Sequence, residues 1–140
     1  MRFVELNEED RSLLRRTRFL LKKRASEISG VSAGLRTSTG KEYFGLCVDA
    51  KPSTVGMCAE FSAIGAMVTD GERKITTLVA VTDRGKGRYV ILPPCGKCRD
   101  LARAFGNPLV ILQVGRNLDE SKKARLSELV PFPWDEMPSL

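Results

Sequence analysis

Cys58-Ala59-Glu60 and, thirty-seven positions after its cysteine, Pro94-Cys95-Gly96-Lys97-Cys98 are the stretches that decide how this chain is read. A Cys-x-x-Cys at the start of a helix can place two sulfurs on one metal ion, and zinc favours thiolate ligands. Cys58 also stands where a loop enters an apolar run, so two helix N-termini are expected to converge. Their positive ends favour thiolate over thiol. Three protein ligands leave a fourth zinc position open, as in a catalytic rather than a structural site. Two other uses of the cysteines stay open at this point. The Cys-x-x-Cys could be redox-active, or a structural metal could take a fourth ligand, for which Cys47 is available. Cys47 falls in an apolar stretch, however, where a buried thiol is the plainer use.

Outward from these motifs the pattern alternates between helix and strand. From Cys58, the residues Ala59, Phe61, Ala63, Ile64, Ala66, Met67 and Val68 predict a buried helix ending near Asp70-Gly71. Ile75 to Thr82 is apolar and β-branched, a strand. Arg84-Gly85-Lys86-Gly87 reads as a loop and Tyr89 to Leu92 as a short extended piece. A second helix is expected over Cys95 to Phe105, a strand over Pro108 to Val114 and a last helix over Ser121 to Leu129. Upstream, residues 8 to 27 read as a helix, with Leu13, Leu14, Phe19, Leu20, Leu21 and Ile28 apolar near a period of 3.6 and Asn7 as N-cap. Val31, Ala33 and Leu35 alternate with Ser32, Gly34 and Arg36, which predicts a half-buried strand. Ser38-Thr39-Gly40-Lys41 is the hairpin turn, and Tyr43 to Val48 the returning strand. The order implies a layered α/β fold in one domain over residues 1–140, with an N-terminal helical region over 1–28.

Composition narrows the chemistry. The chain has 140 residues, 42% of them hydrophobic and 29% charged, with no apolar stretch near the ~20 residues a membrane helix needs. The N-terminus is too acidic and too weakly apolar for a secretory signal, so a cytoplasmic protein is expected. Histidine is absent, which excludes Ser-His-Asp and Cys-His catalysis and every histidine metal site. Any general acid or base must then be a carboxylate, Lys, Cys or Tyr. Net charge is +6, spread along the chain and not gathered in a tail. With six Phe, two Tyr and one Trp, a stacking platform for single strands has little support, and nucleic acid is the less favoured partner.

At the two cysteine motifs the chain resembles the cytidine deaminase superfamily, in particular the small homotetrameric cytidine deaminases and blasticidin-S deaminase. The resemblance runs from about Val31 to Trp134. It covers the hairpin from Val31 to Val48, the zinc motifs Met57-Cys58-Ala59-Glu60 and Pro94-Cys95-Gly96-Lys97-Cys98-Arg99, and the C-terminal stretch Leu129-Val130-Pro131-Phe132-Pro133-Trp134. It implies a three-layer α/β/α fold with a five-stranded mixed sheet flanked by helices. It also implies a zinc-dependent hydrolytic deaminase acting on a cytosine-like nucleoside or analogue. Zinc would sit on Cys58, Cys95 and Cys98, and Glu60 would carry protons from water to the base nitrogen and the leaving amine. Ala59 and the turn at Pro94 would hold the base edge. In a homotetramer, residues 129–140 would reach a neighbouring active site, with Phe132 or Trp134 over the base.

The departures from the family bear on the substrate. Ser29 stands about where those enzymes carry a Phe that packs on the nucleoside. Cys47-Val48-Asp49 stands where many carry Asn-x-Glu for the ribose hydroxyls, and a thiol cannot both donate and accept as an amide does. Cys47 and Asp49 are nevertheless the substrate-side residues by position. Phe61 follows Glu60 where an Arg often offsets the charge of three thiolates, which leaves Arg99 as the charge-balancing candidate. An antibiotic deaminase of the blasticidin-S type is the first alternative. A non-catalytic zinc-stabilised scaffold or nucleic-acid-binding module is the second.

Overall fold

Ile75–Asp83 forms the central strand of the sheet, buried on both faces along most of its length. The computed structural model describes residues 1–136. In chain order the elements are β1 (Val4–Glu5), α1 (Glu8–Arg24), β2 (Val31–Thr37), β3 (Glu42–Leu46), α2 (Ala59–Thr69), β4 (Ile75–Asp83), β5 (Tyr89–Ile91), α3 (Gly96–Arg103), β6 (Leu109–Gln113) and β7 (Ser121–Arg125). The sheet order is β1-β7-β6-β4-β2-β3, with β5 paired to the far end of β4. β4 and β6 run parallel and the other pairs antiparallel, so the sheet is mixed as expected. It has seven strands where five were expected, because the short β1 and β5 extend the edges.

Side-chain alternation along the strands divides the interior into two cores. Leu78, Ala80 and Val110 face α2 and α3, together with Ala63, Met67 and Ala102. Val79, Val81 and Ile111 face α1, against Leu13, Leu14 and Leu21. The result is the three-layer α/β/α arrangement. Helix α1 starts on a reciprocal cap: Asp10 N–H donates to Asn7 Oδ1 (2.9 Å) and Asn7 N–H to Asp10 Oδ2 (3.0 Å). Its buried stripe is Leu13, Leu14, Thr17 and Leu21, while Phe19 and Ile28 are exposed, contrary to the expected apolar face.

Two further expectations are corrected. β2 is buried on both faces, not one. Its small residues admit α1 closely: Ser32 Oγ donates to Thr17 O (2.6 Å), and a Cβ on Gly34 would lie 2.2 Å from Thr17 Oγ1. The helix expected over Ser121 to Leu129 is instead strand β7 followed by a 3₁₀ turn over Leu126–Leu129. Its Ser-Lys-Lys-Ala-Arg sequence is helix-compatible, but pairing with β6 and β1 overrides propensity. Lys123 is buried and donates to Asp10 Oδ2 at 2.6 Å, which satisfies a charge that would otherwise forbid the strand.

The hairpin is held tightly against the helix that follows it. A Cβ on Gly45 would lie 2.4 Å from the Ala63 nitrogen and 2.5 Å from Ser62 Cβ. Ser62 Oγ donates to Leu46 O (2.7 Å) across the same seam.

Candidate active site

Cys58 and Cys95 are the N-cap residues of α2 and α3, both in extended backbone. Neither uses its side chain as a cap, so each thiol is free to face the space between the two helix starts. The segment ahead of α2 is pinned by a two-way pairing of Val48 and Met57, Val48 N–H to Met57 O (2.8 Å) and Met57 N–H to Val48 O (2.9 Å). This pairing carries the end of the hairpin, Cys47 to Asp49, alongside Cys58.

The three sulfurs meet. Cys58 Sγ is 3.8 Å from Cys95 Sγ, Cys95 Sγ is 3.5 Å from Cys98 Sγ, and all three lie within 4.8 Å of one another. Zn–S bonds of ≈ 2.3 Å in a tetrahedron put sulfurs about 3.8 Å apart, so the cluster is of a size to hold a zinc ion. Cys47 is outside this group, and among the described residues no other His, Cys, Asp or Glu joins it. A fourth position therefore has no protein ligand from the described residues, as a catalytic zinc requires.

Glu60, in the first turn of α2, is 5% exposed. Burial pushes its carboxyl above the usual carboxylate range, opposed by hydrogen bonds from its own main-chain N–H and from the Cys98 thiol. Burial likewise raises the Cys58 and Cys98 thiols. For Cys95, burial also acts upward, but hydrogen bonds from Cys98 main chain and side chain, with one from Cys58, outweigh it and leave the thiol low. Cys95 is thus the thiol most ready to ionise, and it is the exposed member of the three.

A cavity of about 560 Å³ opens onto this cluster. Cys58, Cys95, Ala59 and Glu60 line it, together with Cys47 and Asp49 from the hairpin side. The cavity also has walls that the sequence reading did not single out: Ser53, Thr54 and Met57 from the loop before α2, Leu92 and Pro93 after β5, and Lys97 between the paired cysteines. The hydroxyls of Ser53-Thr54 and the cation inside the Cys-x-x-Cys were the available signals. Pro94 is buried just behind Pro93. Cys47 Sγ accepts from Val31 N–H at 3.3 Å. Ser29 is not in the wall; its hydroxyl donates to Cys47 O (2.9 Å) and so braces the cavity floor.

Arg99 hydrogen-bonds two main-chain carbonyls. Its Nε donates to Pro94 O (2.7 Å) and its Nη1 to Leu129 O (3.0 Å), so the guanidinium ties the loop before α3 to the C-terminal turn. Phe132 is 98% exposed and Trp134 78% exposed, neither packed on its own domain. The segment is nonetheless anchored, since Arg103 donates to Asp135 Oδ1 (2.9 Å) and Glu136 Oε1 (2.8 Å).

This geometry accompanies a clear relationship to known proteins. No family model matches the chain. The blasticidin-S deaminase of Bacillus cereus is 30% identical over 109 residues, covering 74% of this chain and 76% of that protein. A cytidine deaminase of Mycoplasma genitalium is 31% identical over 94 residues, 66% of this chain and 69% of that one. The chain belongs to the cytidine deaminase superfamily. The crystal structure of the cytidine deaminase from Bacillus anthracis superposes with a TM-score of 0.76 at 21% identity, over 93% of this chain and 91% of that one, and shares the fold. As a superfamily member the protein is a zinc-dependent hydrolytic deaminase. No helix among the described residues of this deaminase is long and apolar enough to cross a membrane.

Proposed function

We propose that this deaminase removes the amino group from a cytosine-like nucleoside or nucleoside analogue, with Cys58, Cys95 and Cys98 as zinc ligands and Glu60 as the proton carrier. The observation that supports the reading is a cavity of nucleoside scale lined by Glu60, Cys58 and Cys95, with the Cys98 sulfur buried within 4.8 Å of the other two. Zinc held there supplies an ionised water at neutral pH. The Glu60 carboxylate would take one proton from the attacking water and place it on the ring nitrogen, then move the second proton, from the hydroxyl added to the ring carbon, to the departing amine, which leaves as ammonia. A carboxyl raised by burial suits this double duty, because its carboxylate is a stronger base than a solvated one while its acid form can still give the proton up. The Ala59 N–H, in the first turn of α2 and without an intrahelical acceptor, and the Pro94–Cys95 turn hold the base edge. Asp49 offers an acceptor to a sugar hydroxyl or an amine from the hairpin side. Arg99 acts by position, holding the Pro94 turn through its hydrogen bonds.

The relation to blasticidin-S deaminase favours a second substrate reading, a cationic aminonucleoside whose charge is met by Asp49. One assay separates the two: zinc-loaded protein is given a panel of amino-bearing bases, nucleosides and blasticidin S, and ammonia release is measured. No release from any member would sink the proposal.

The proposed assembly is a homotetramer in which Phe132 or Trp134 covers a neighbour's cavity. Support comes from two large aromatics held outward by an anchored segment. Light scattering tests it, and a stable, fully active monomer would contradict it. The proposed setting is the cytoplasm, since four free cysteines, three of them destined for metal, suit a reducing compartment.

A further inference from the structure

A second cavity, of about 730 Å³, lies on the other side of Leu92 and Pro93 from the catalytic one. Three separate parts of the chain build it: α1, the β4–β5 loop with β5, and the loop between β6 and β7. Each part contributes arginine. Arg18 comes from α1, Arg84 and Arg88 from the β4–β5 loop, and Arg116 from the β6–β7 loop. No carboxylate lines the groove, and among the described residues none of these four guanidiniums has a carboxylate within 4.0 Å. Elsewhere Arg15, Arg16, Arg36 and Arg103 are each paired with one. The nearest acid of the loop is already engaged: Asp83 accepts from Gly85 N–H (2.8 Å) and Gly87 N–H (3.2 Å), which shapes the turn that presents Arg84 and Arg88.

Four like charges gathered without counter-charge repel one another, and an anion between them removes that cost. Guanidinium forks match phosphate oxygens in pairs, so the chemistry of the groove is that of phosphate recognition. A nucleic-acid strand would call for stacking faces as well. The one aromatic in the groove is Tyr89, and its ring already carries the Arg18 guanidinium, 5.6 Å from the centroid. A compact chain of linked phosphates, with about as many negative charges as the groove has arginines, meets the site better.

We propose that this arginine groove is a binding site, separate from the zinc cavity, for a linear polyphosphate, either free or as the tail of a nucleotide. The site does not depend on the deaminase chemistry, so it is tested by binding alone. Inorganic tripolyphosphate, ATP and an oligodeoxythymidine are titrated into the full zinc-loaded chain by calorimetry at physiological ionic strength. Tripolyphosphate is expected to saturate at one per chain. Arg88→Ala and Arg116→Ala should each weaken it about tenfold, whereas Arg15→Ala, outside the groove, should not. ATP bound more tightly than tripolyphosphate identifies a nucleotide as the source, and equal affinity identifies the phosphate chain alone. All four arginines are exposed, so the variants should melt as the parent does; Arg84→Glu gives a second, charge-reversing probe. Absence of saturable binding by tripolyphosphate and ATP would overturn the proposal. Affinity that ignores the groove substitutions would do the same, as would an oligonucleotide bound far more tightly at equal phosphate concentration.

Discussion

Cys58 and Cys95 stand 3.8 Å apart through their sulfurs although they are 37 positions apart in the chain, each being the residue from which a helix departs. Whatever moves one helix start relative to the other alters the metal position. The order of the strands fixes that relation, since α2 leads into β4 and β5 leads into α3 along the same central strand.

Metal content follows from this spacing. One zinc per chain is expected by elemental analysis. Cys95→Ser should lose it, and with it the stabilisation that a tightly bound ligand gives the native state, roughly 4 kcal/mol at a thousandfold excess over Kd. Zinc retained at full occupancy in Cys95→Ser would refute the ligand assignment.

Replacing Glu60 with Gln should leave fold and zinc in place and lower turnover by at least ~10²–10⁴-fold. Stability moves the other way. Burial raises the Glu60 pKa above 4.5 in the folded state, so its contribution is fully present below 4.5 and is lost as pH rises through the higher folded value. In metal-stripped protein at neutral pH, Glu60→Gln should therefore melt at or above the parent temperature. A variant that melts distinctly lower would show that the carboxylate is better satisfied than its surroundings indicate.

Arg99→Ala should cost about 1–3 kcal/mol, because the carbonyls of Pro94 and Leu129 lose their charged donor. Arg99→Lys should recover part of the stability but not all, since one ammonium cannot reproduce the two-sided fork. Were Arg99→Ala to leave the melting temperature intact and abolish activity alone, its role would be electrostatic at the metal and not positional.

Plain cytidine should be a poor substrate, with kcat/KM below that for a better-matched analogue. A cavity that offers the Cys47 thiol and the short Asp49 carboxylate discriminates weakly for ribose hydroxyls. Efficient turnover selective for cytidine over its base-modified and sugar-modified analogues would contradict this and point to Ser53 or Thr54 as the sugar's partner.

Trp134 is the protein's one tryptophan and reports on the C-terminal segment. Hydrogen bonding from Arg103 holds Asp135 below its usual 3.8, so the tether persists above that pH and is lost as pH falls through the lower folded value. Tryptophan anisotropy should fall on acidification below about pH 3.8, and Arg103→Ala should lower it already at neutral pH. Anisotropy indifferent to both would show that something other than this ion pair anchors the segment.

The zinc helices, the hairpin and the central strand were legible because each is announced locally: thiols at helix starts, a Thr-Gly turn, a β-branched run. What was not legible depends on distant partners. Lys123 reads as a helix residue until Asp10, 113 positions away, is seen to accept from it. Ser32 and Gly34 read as the wet face of β2, yet they are small so that Thr17 can approach. Arg99 read as a charge near the metal, and only the fold reveals that Leu129 O lies within its reach. The arginine groove drew on three segments, none basic enough alone to be distinguished from a solvated surface.

Gly45 makes the catalytic cavity intolerant of a single methyl group. With the Ala63 nitrogen 2.4 Å from where a Cβ would stand, even alanine must push α2 off the hairpin, and Cys58 and Glu60 ride on that helix. A surveyor would call this position a datum: the distance from sheet to zinc site is measured from it. Attempts to broaden substrate choice by diversifying the hairpin can vary Cys47 and Asp49, but the library has to leave residue 45 bare.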